Sequence, residues 1–191
     1  MPPAVIENPI LNSPFAEPTR HFHFDDDGIT NTITEGRRKS AYFVPIAAPK
    51  KKGKQLAFQD LTADRLQDNT LVNDIRARVA LWRRGGYAGV TPVTARLLEH
   101  WNDPDRERKL FFCQHEALET VIYLTEAAHK FGDQWIGERL KLANDQSNPG
   151  LPRIAMKMAT GSGKTVVMAM LISGAPHPEE ARRFLDFLVS A

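Results

Sequence analysis

The chain has 191 residues, 42% hydrophobic and 25% charged, with 12 glycines and 13 prolines, enough for one ordinary domain and unlike a collagen-like, disulfide-dense or wholly disordered chain. No apolar run approaches the roughly 18 residues of a membrane helix, and the first twenty residues carry Glu7, Glu17 and five prolines with no apolar core, so neither a membrane span nor a secretory signal is expected. The single cysteine, Cys113, fits a reducing cytoplasm, and 25 Lys and Arg against 23 Asp and Glu leave any nucleic-acid footprint to local clusters.

Residues 1–19 are proline-punctuated and read as an extended, irregular arm. His21-Phe22-His23-Phe24 alternates with period two, Asp25-Asp26-Asp27-Gly28 is turn chemistry, and Ile29 to Thr34 is rich in β-branched residues. Together they predict a β-hairpin. Ala41 to Val44 is a further short strand stopped by Pro45, and Lys50-Lys51-Lys52-Gly53-Lys54 is a basic loop.

Helices follow. Asn69 is placed to cap one whose face is Val72, Ile75, Val79 and Trp82, ending at Gly85-Gly86. Thr91 with Pro92 opens a second, with Leu97, Leu98 and Trp101 apolar. A third is expected over 114–130, with Ala117, Val121, Leu124 and Ala128 as its stripe and Gly132 as its stop. A short helical piece over 135–143 precedes the polar loop 144–150.

The strongest signal comes next. Residues 153–158 are mostly apolar and predict a strand, followed at once by Ala159-Thr160-Gly161-Ser162-Gly163-Lys164-Thr165 and the apolar run Val166 to Ile172. Strand, glycine loop and buried helix in that order are the context of a phosphate-binding loop. Gly161 and Gly163 let successive N–H groups face one anion. The helix beginning near Lys164 adds its positive end. Lys164 supplies a charge to the β- and γ-phosphates, and Thr165 offers a hydroxyl to Mg²⁺. The strict pattern has glycine where this chain has Met158. A Rossmann reading fails because Val166 stands where that pattern has its third glycine.

Met158 to Thr165 resembles motif I of superfamily 2 helicases, most closely the helicase-type subunits of type III and type I restriction enzymes. Upstream, Phe111-Phe112-Cys113-Gln114-His115-Glu116-Ala117-Leu118 resembles that family's glutamine element, in which the glutamine faces adenine. A carboxamide suits that role, since it can accept from N6 and donate to N7. Ser13-Pro14-Phe15, Glu17 to His21, Glu35 to Arg38 and Tyr42 to Ile46 look like the N-terminal region of a restriction-type branch.

The resemblance implies an α/β fold: the start of a RecA-like ATPase lobe, preceded by a mainly helical region with a small hairpin. The segments are an arm, hairpin and basic loop over 1–60, a helical region with the glutamine element over 61–150, the strand-loop-helix unit over 151–174, and a helix over 175–191. It implies ATP and Mg²⁺ as cofactors, held by Gln114, Thr160, Gly161, Ser162, Gly163, Lys164 and Thr165, with Thr165 toward the metal. It implies DNA as the partner, a modification methyltransferase subunit beside it, and a cytoplasmic location. The 26 residues after Thr165 hold no Asp-Glu metal motif and no second lobe, so the chain reads as an N-terminal fragment, inactive by itself. The tail from Ser173 to Leu188, with Ala181, Phe184, Leu185 and Leu188 apolar, resembles a segment of periplasmic solute-binding proteins of iron-type transporters, which makes a chimeric remnant without catalysis an alternative. An unrelated P-loop kinase is another, disfavoured by Gln114.

Weaker constellations remain. Asp105, Glu107 and Lys109 imitate a nuclease core but crowd one loop, where that core spreads its acids over separate strands. His21 and His23 share a strand face without a third ligand fixed by the sequence. Arg37-Arg38-Lys39 and Lys50 to Lys54 would give sequence-blind phosphate contacts if they met DNA.

Overall fold

A computed structural model describes residues 8–25, 28–44, 66–147, 149–150 and 154–173. The chain divides into two compact units, Met1–Asp74 and Ile75–Ala191.

In the first unit the expected hairpin is present. Strands β1 (Arg20–Asp25) and β2 (Gly28–Glu35) pair antiparallel, Phe22 with Ile33 and Phe24 with Ile29, and the register slips between the two pairs. Arg38 lays its guanidinium 3.9 Å over the Phe24 ring. The arm before β1 is irregular, as its prolines dictate, and Asn12 ties it to the start of the strand. Asn12 Oδ1 accepts from the Thr19 and Arg20 N–H groups at 3.0 and 3.2 Å, and Asn12 Nδ2 donates to the Arg20 carbonyl at 2.8 Å.

Strand β3 (Ala41–Phe43) pairs antiparallel with β4 (Leu66–Asp68). Strand β4 was not expected, because three residues, Leu-Gln-Asp, carry too little alternation to register as a strand. Asn73 clamps the approach to β3: its Oδ1 accepts from Ser40 N–H at 2.8 Å and its Nδ2 donates to Ser40 O at 3.0 Å. The basic loop over 50–54 and the tail beyond Ser173 lie outside the described residues.

Helix α1 (Thr70–Arg84) starts at the predicted cap, with Val72 N–H donating to Asn69 Oδ1 at 3.4 Å. Its apolar spacing buries Ile75, Val79 and Trp82. At its end, Gly86 N–H bonds the Arg83 carbonyl and Tyr87 N–H bonds the Trp82 carbonyl, both at 3.1 Å. Trp82 then organises the second unit. Its ring meets Tyr87 edge-on at 5.0 Å and tilts against Tyr123 at 5.5 Å, while its indole N–H donates to Ala88 O at 2.8 Å.

Helix α2 (Pro92–Asn102) has Thr91 as N-cap, whose hydroxyl accepts from Thr94 N–H at 3.3 Å. Glu126 reinforces this cap by accepting from Thr91 N–H at 2.9 Å and from the Thr94 hydroxyl at 2.7 Å. Thr91→Ala is therefore expected to lower stability by about 1 kcal/mol. A urea midpoint unchanged from the parent would show that Glu126 alone holds the helix start.

The helix expected over 114–130 is not uniform. Helix α3 (Phe112–Ile122) passes into a π-helical turn over Tyr123–Ala127 and a 3-10 turn over Ala128–Phe131. The wider π turn rotates the inward face. Ala117 and Ala128 of the expected stripe are buried, but Val121 and Leu124 are only half-buried, and Leu118, Ile122, Tyr123 and Ala127 complete the core. Helix α4 (Gln134–Ser147) is longer than the predicted 135–143, and only Ile136 on it is fully buried.

Two expectations about the chain's end need correction. Residues 154–159 form no strand; among the described residues, the only sheets are the two antiparallel pairs, and no parallel sheet is present. A strand exists only through pairing, and the apolar character of this segment cannot supply a partner. Helix α5 (Lys164–Ser173) does form, but it is not enclosed. Val167 is buried, whereas Val166 and Met168 stay 45% and 40% exposed.

Candidate functional site

The loop before α5 has the backbone its glycines foretold. Gly161 and Gly163 sit at φ of +78° and +77°, a region that residues with a Cβ rarely enter. The Gly163 carbonyl accepts from Val166 and Val167 N–H at 3.0 and 3.3 Å, so Gly163 acts as the N-cap of α5. Among the described residues, the backbone N–H groups of Gly161, Gly163, Lys164 and Thr165 have no backbone acceptor. They are the orphan donors of a helix start, the groups that bind an anion.

The side chains hold the loop closed. Ser162 Oγ donates to the Ala159 carbonyl at 2.6 Å. Lys164 Nζ donates to the Ala159 and Met158 carbonyls at 3.0 and 3.4 Å, curled over the loop it would share with a phosphate. Thr160, Lys164 and Thr165 are exposed, and Ser162 and Gly163 are half-buried.

Gln114, predicted as the adenine reader, lies in contact with this loop although 49 residues separate it from Gly163. Helix α3 packs on α5, and the Nε2 of Gln114 occupies the space a Cβ on Gly163 would need. Gln114 is buried, at 6% exposure, and its Oε1 accepts from Phe111 N–H at 2.8 Å, closing the first turn of α3. The predicted residues of the site, Gln114 and 160–165, thus form one constellation.

A buried ionic cluster lies on α3 one turn beyond Gln114. Glu119, at 1% exposure, accepts from Arg83 Nε at 2.9 Å on both oxygens and from Arg83 Nη2 at 2.5 Å. It also accepts from the Tyr87 hydroxyl at 2.6 Å. Burial and the neighbouring Glu119 raise the Tyr87 phenol above its ordinary range. Arg83 in turn lies 5.1 Å over the Phe112 ring at the head of α3. Burial holds His115 below the usual histidine range, with Arg83 and Arg106 acting in the same direction and Glu119 opposing. This network escaped the sequence reading. Its signal was Glu119 itself, a carboxylate following Leu118 on a face that must be buried and so in need of a cation.

The weaker constellations show local contacts. Asp105, Glu107 and Lys109 are exposed, and Asp105 N–H bonds Asp103 Oδ1 at 2.9 Å in a local turn. His21 Nδ1 is 2.8 Å from the Gly36 carbonyl. Among the described residues, no group of three or more His, Cys, Asp or Glu is arranged to hold a metal, and no helix is long and apolar enough to cross a membrane.

No protein-family model, curated protein or solved structure matches the chain.

Proposed function

We propose that Met158 to Thr165 is an ATP-binding phosphate loop in the opening part of a RecA-like lobe, belonging to a DNA-acting ATPase of the restriction-enzyme helicase type. The single observation that carries this reading is the contact of the Gln114 carboxamide with Gly163. A glycine loop alone would suit many nucleotide enzymes. In the family that residues 111–118 and 158–165 resemble, the glutamine element stands beside this loop, so a buried Gln114 packed on it favours the helicase-type arrangement, with ATP as its nucleotide, over an unrelated kinase.

The residues fit the nucleotide's chemistry. The N–H groups at the start of α5, which have no backbone acceptor among the described residues, suit the phosphate oxygens, and Lys164 is exposed and near enough to exchange two carbonyls for a phosphate. Mg²⁺ keeps several waters and is held by substrate phosphates and one or two carboxylates, so the exposed Thr165 hydroxyl would supply one protein ligand, with no carboxylate among residues 158–165. DNA, and a methyltransferase subunit acting with it, are the partners this reading assigns to the whole machine.

Calorimetric titration tests it. Mg·ATP is expected to bind and AMP to bind at least about tenfold more weakly, because the loop recognises the terminal phosphates. AMP binding as tightly as ATP would dismiss the phosphate loop.

A further inference from the structure

Taking residues 158–165 as the phosphate loop proposed above, we infer that Gln114 is a positioning residue for that loop, so that ligands lacking adenine depend on it as much as ATP does. Two contacts fix the carboxamide. Oε1 is held by Phe111 N–H at 2.8 Å, which ties it to the head of α3. The amide is planar, so with its oxygen held there, Nε2 is directed the other way, onto Gly163. The Gln114 Cδ lies 3.4 Å from where a Gly163 Cβ would stand, so a side chain there would meet the amide beyond its tip.

Gly163 is the residue through which such a contact would act. Its carbonyl accepts from Val166 and Val167, which sets the direction of α5, and its neighbours carry the N–H groups that have no backbone acceptor among the described residues. Val167, on the same turn, is buried at 1% exposure. Pressing Gln114 against Gly163 therefore aligns the phosphate donors whether or not a base is present. Gly163 meets two demands: a φ of +77° and room for Nε2.

The test compares the parent chain, Gln114→Ala, Gly163→Ala and the double variant, titrated with tripolyphosphate and with Mg·ATP. Gln114→Ala is expected to weaken both ligands by a similar factor, about tenfold. Gly163→Ala should weaken them more, because its methyl meets the carboxamide. The double variant should bind tripolyphosphate more tightly than Gly163→Ala alone, since the collision is gone and only the backbone strain remains. A loss confined to ATP, or a double variant no better than Gly163→Ala, would overturn the positioning role. If the parent binds neither ligand, the phosphate-loop reading fails, and the positioning role is then read in the ligand-free chain. There, Gln114→Ala is expected to speed hydrogen exchange at the Val166 and Val167 amides, and unchanged exchange would reject it.

Discussion

Lys164→Ala is expected to weaken Mg·ATP binding by about a hundredfold, the value of a charge-assisted hydrogen bond to phosphate. The Lys164 side chain is exposed and, among the described residues, bonds only the Met158 and Ala159 carbonyls. Those carbonyls lie in a loop where water can replace the ammonium, so the thermal midpoint should move little. Binding and stability are thereby separated, and a loss of affinity cannot be ascribed to unfolding. Arginine is a poor substitute, because its planar fork does not fit a nest shaped for a point charge. Calorimetry showing equal affinity for Lys164→Ala and the parent would remove the phosphate-loop assignment, whatever the resemblance of residues 158–165.

The largest expected effect on stability belongs to Glu119. Glu119→Ala would leave the Arg83 guanidinium and the Tyr87 hydroxyl without the acceptor both now share. The Arg83 side chain is 23% exposed, so water recovers part of its solvation, and the cost is expected at about 3 kcal/mol, the low end for a broken buried pair. Replacing both partners with apolar residues, as in Arg83→Met with Glu119→Leu, should cost much less, since no charge is then stranded. Urea unfolding of the single and double variants measures both. A single variant within about 0.5 kcal/mol of the parent would mean that the cluster is already solvated. Because Arg83 lies over Phe112 at the head of α3, the single variant should also loosen the turn that carries Gln114.

The elements that were legible in the sequence are those decided within a few residues. Asn69 and Thr91 announced helix starts because a short polar side chain finds its backbone donor three residues on. The hairpin followed from strand alternation around a turn. The loop was legible because Gly161 and Gly163 permit a backbone that other residues resist, and Lys164 follows directly. The third helix shows where local reading stops. Its apolar spacing suited a straight α-helix, yet the π turn at Tyr123 shifted the buried set toward Tyr123 and Ala127. The segment 154–159 shows the same limit, since apolar residues make a strand only when another strand is beside them.

The sequence by itself therefore determined the helix caps, the hairpin and the chemical character of residues 160–165. The tertiary structure decided what those residues touch. Packing of α3 on α5 brought Gln114 onto Gly163, and the approach of α1 gave Glu119 its arginine 36 residues away. Turns and caps are legible because their partners are covalently near and the geometry follows from bond lengths and sterics. Contacts between distant segments depend on which apolar faces find each other, and that is settled only when the whole core closes.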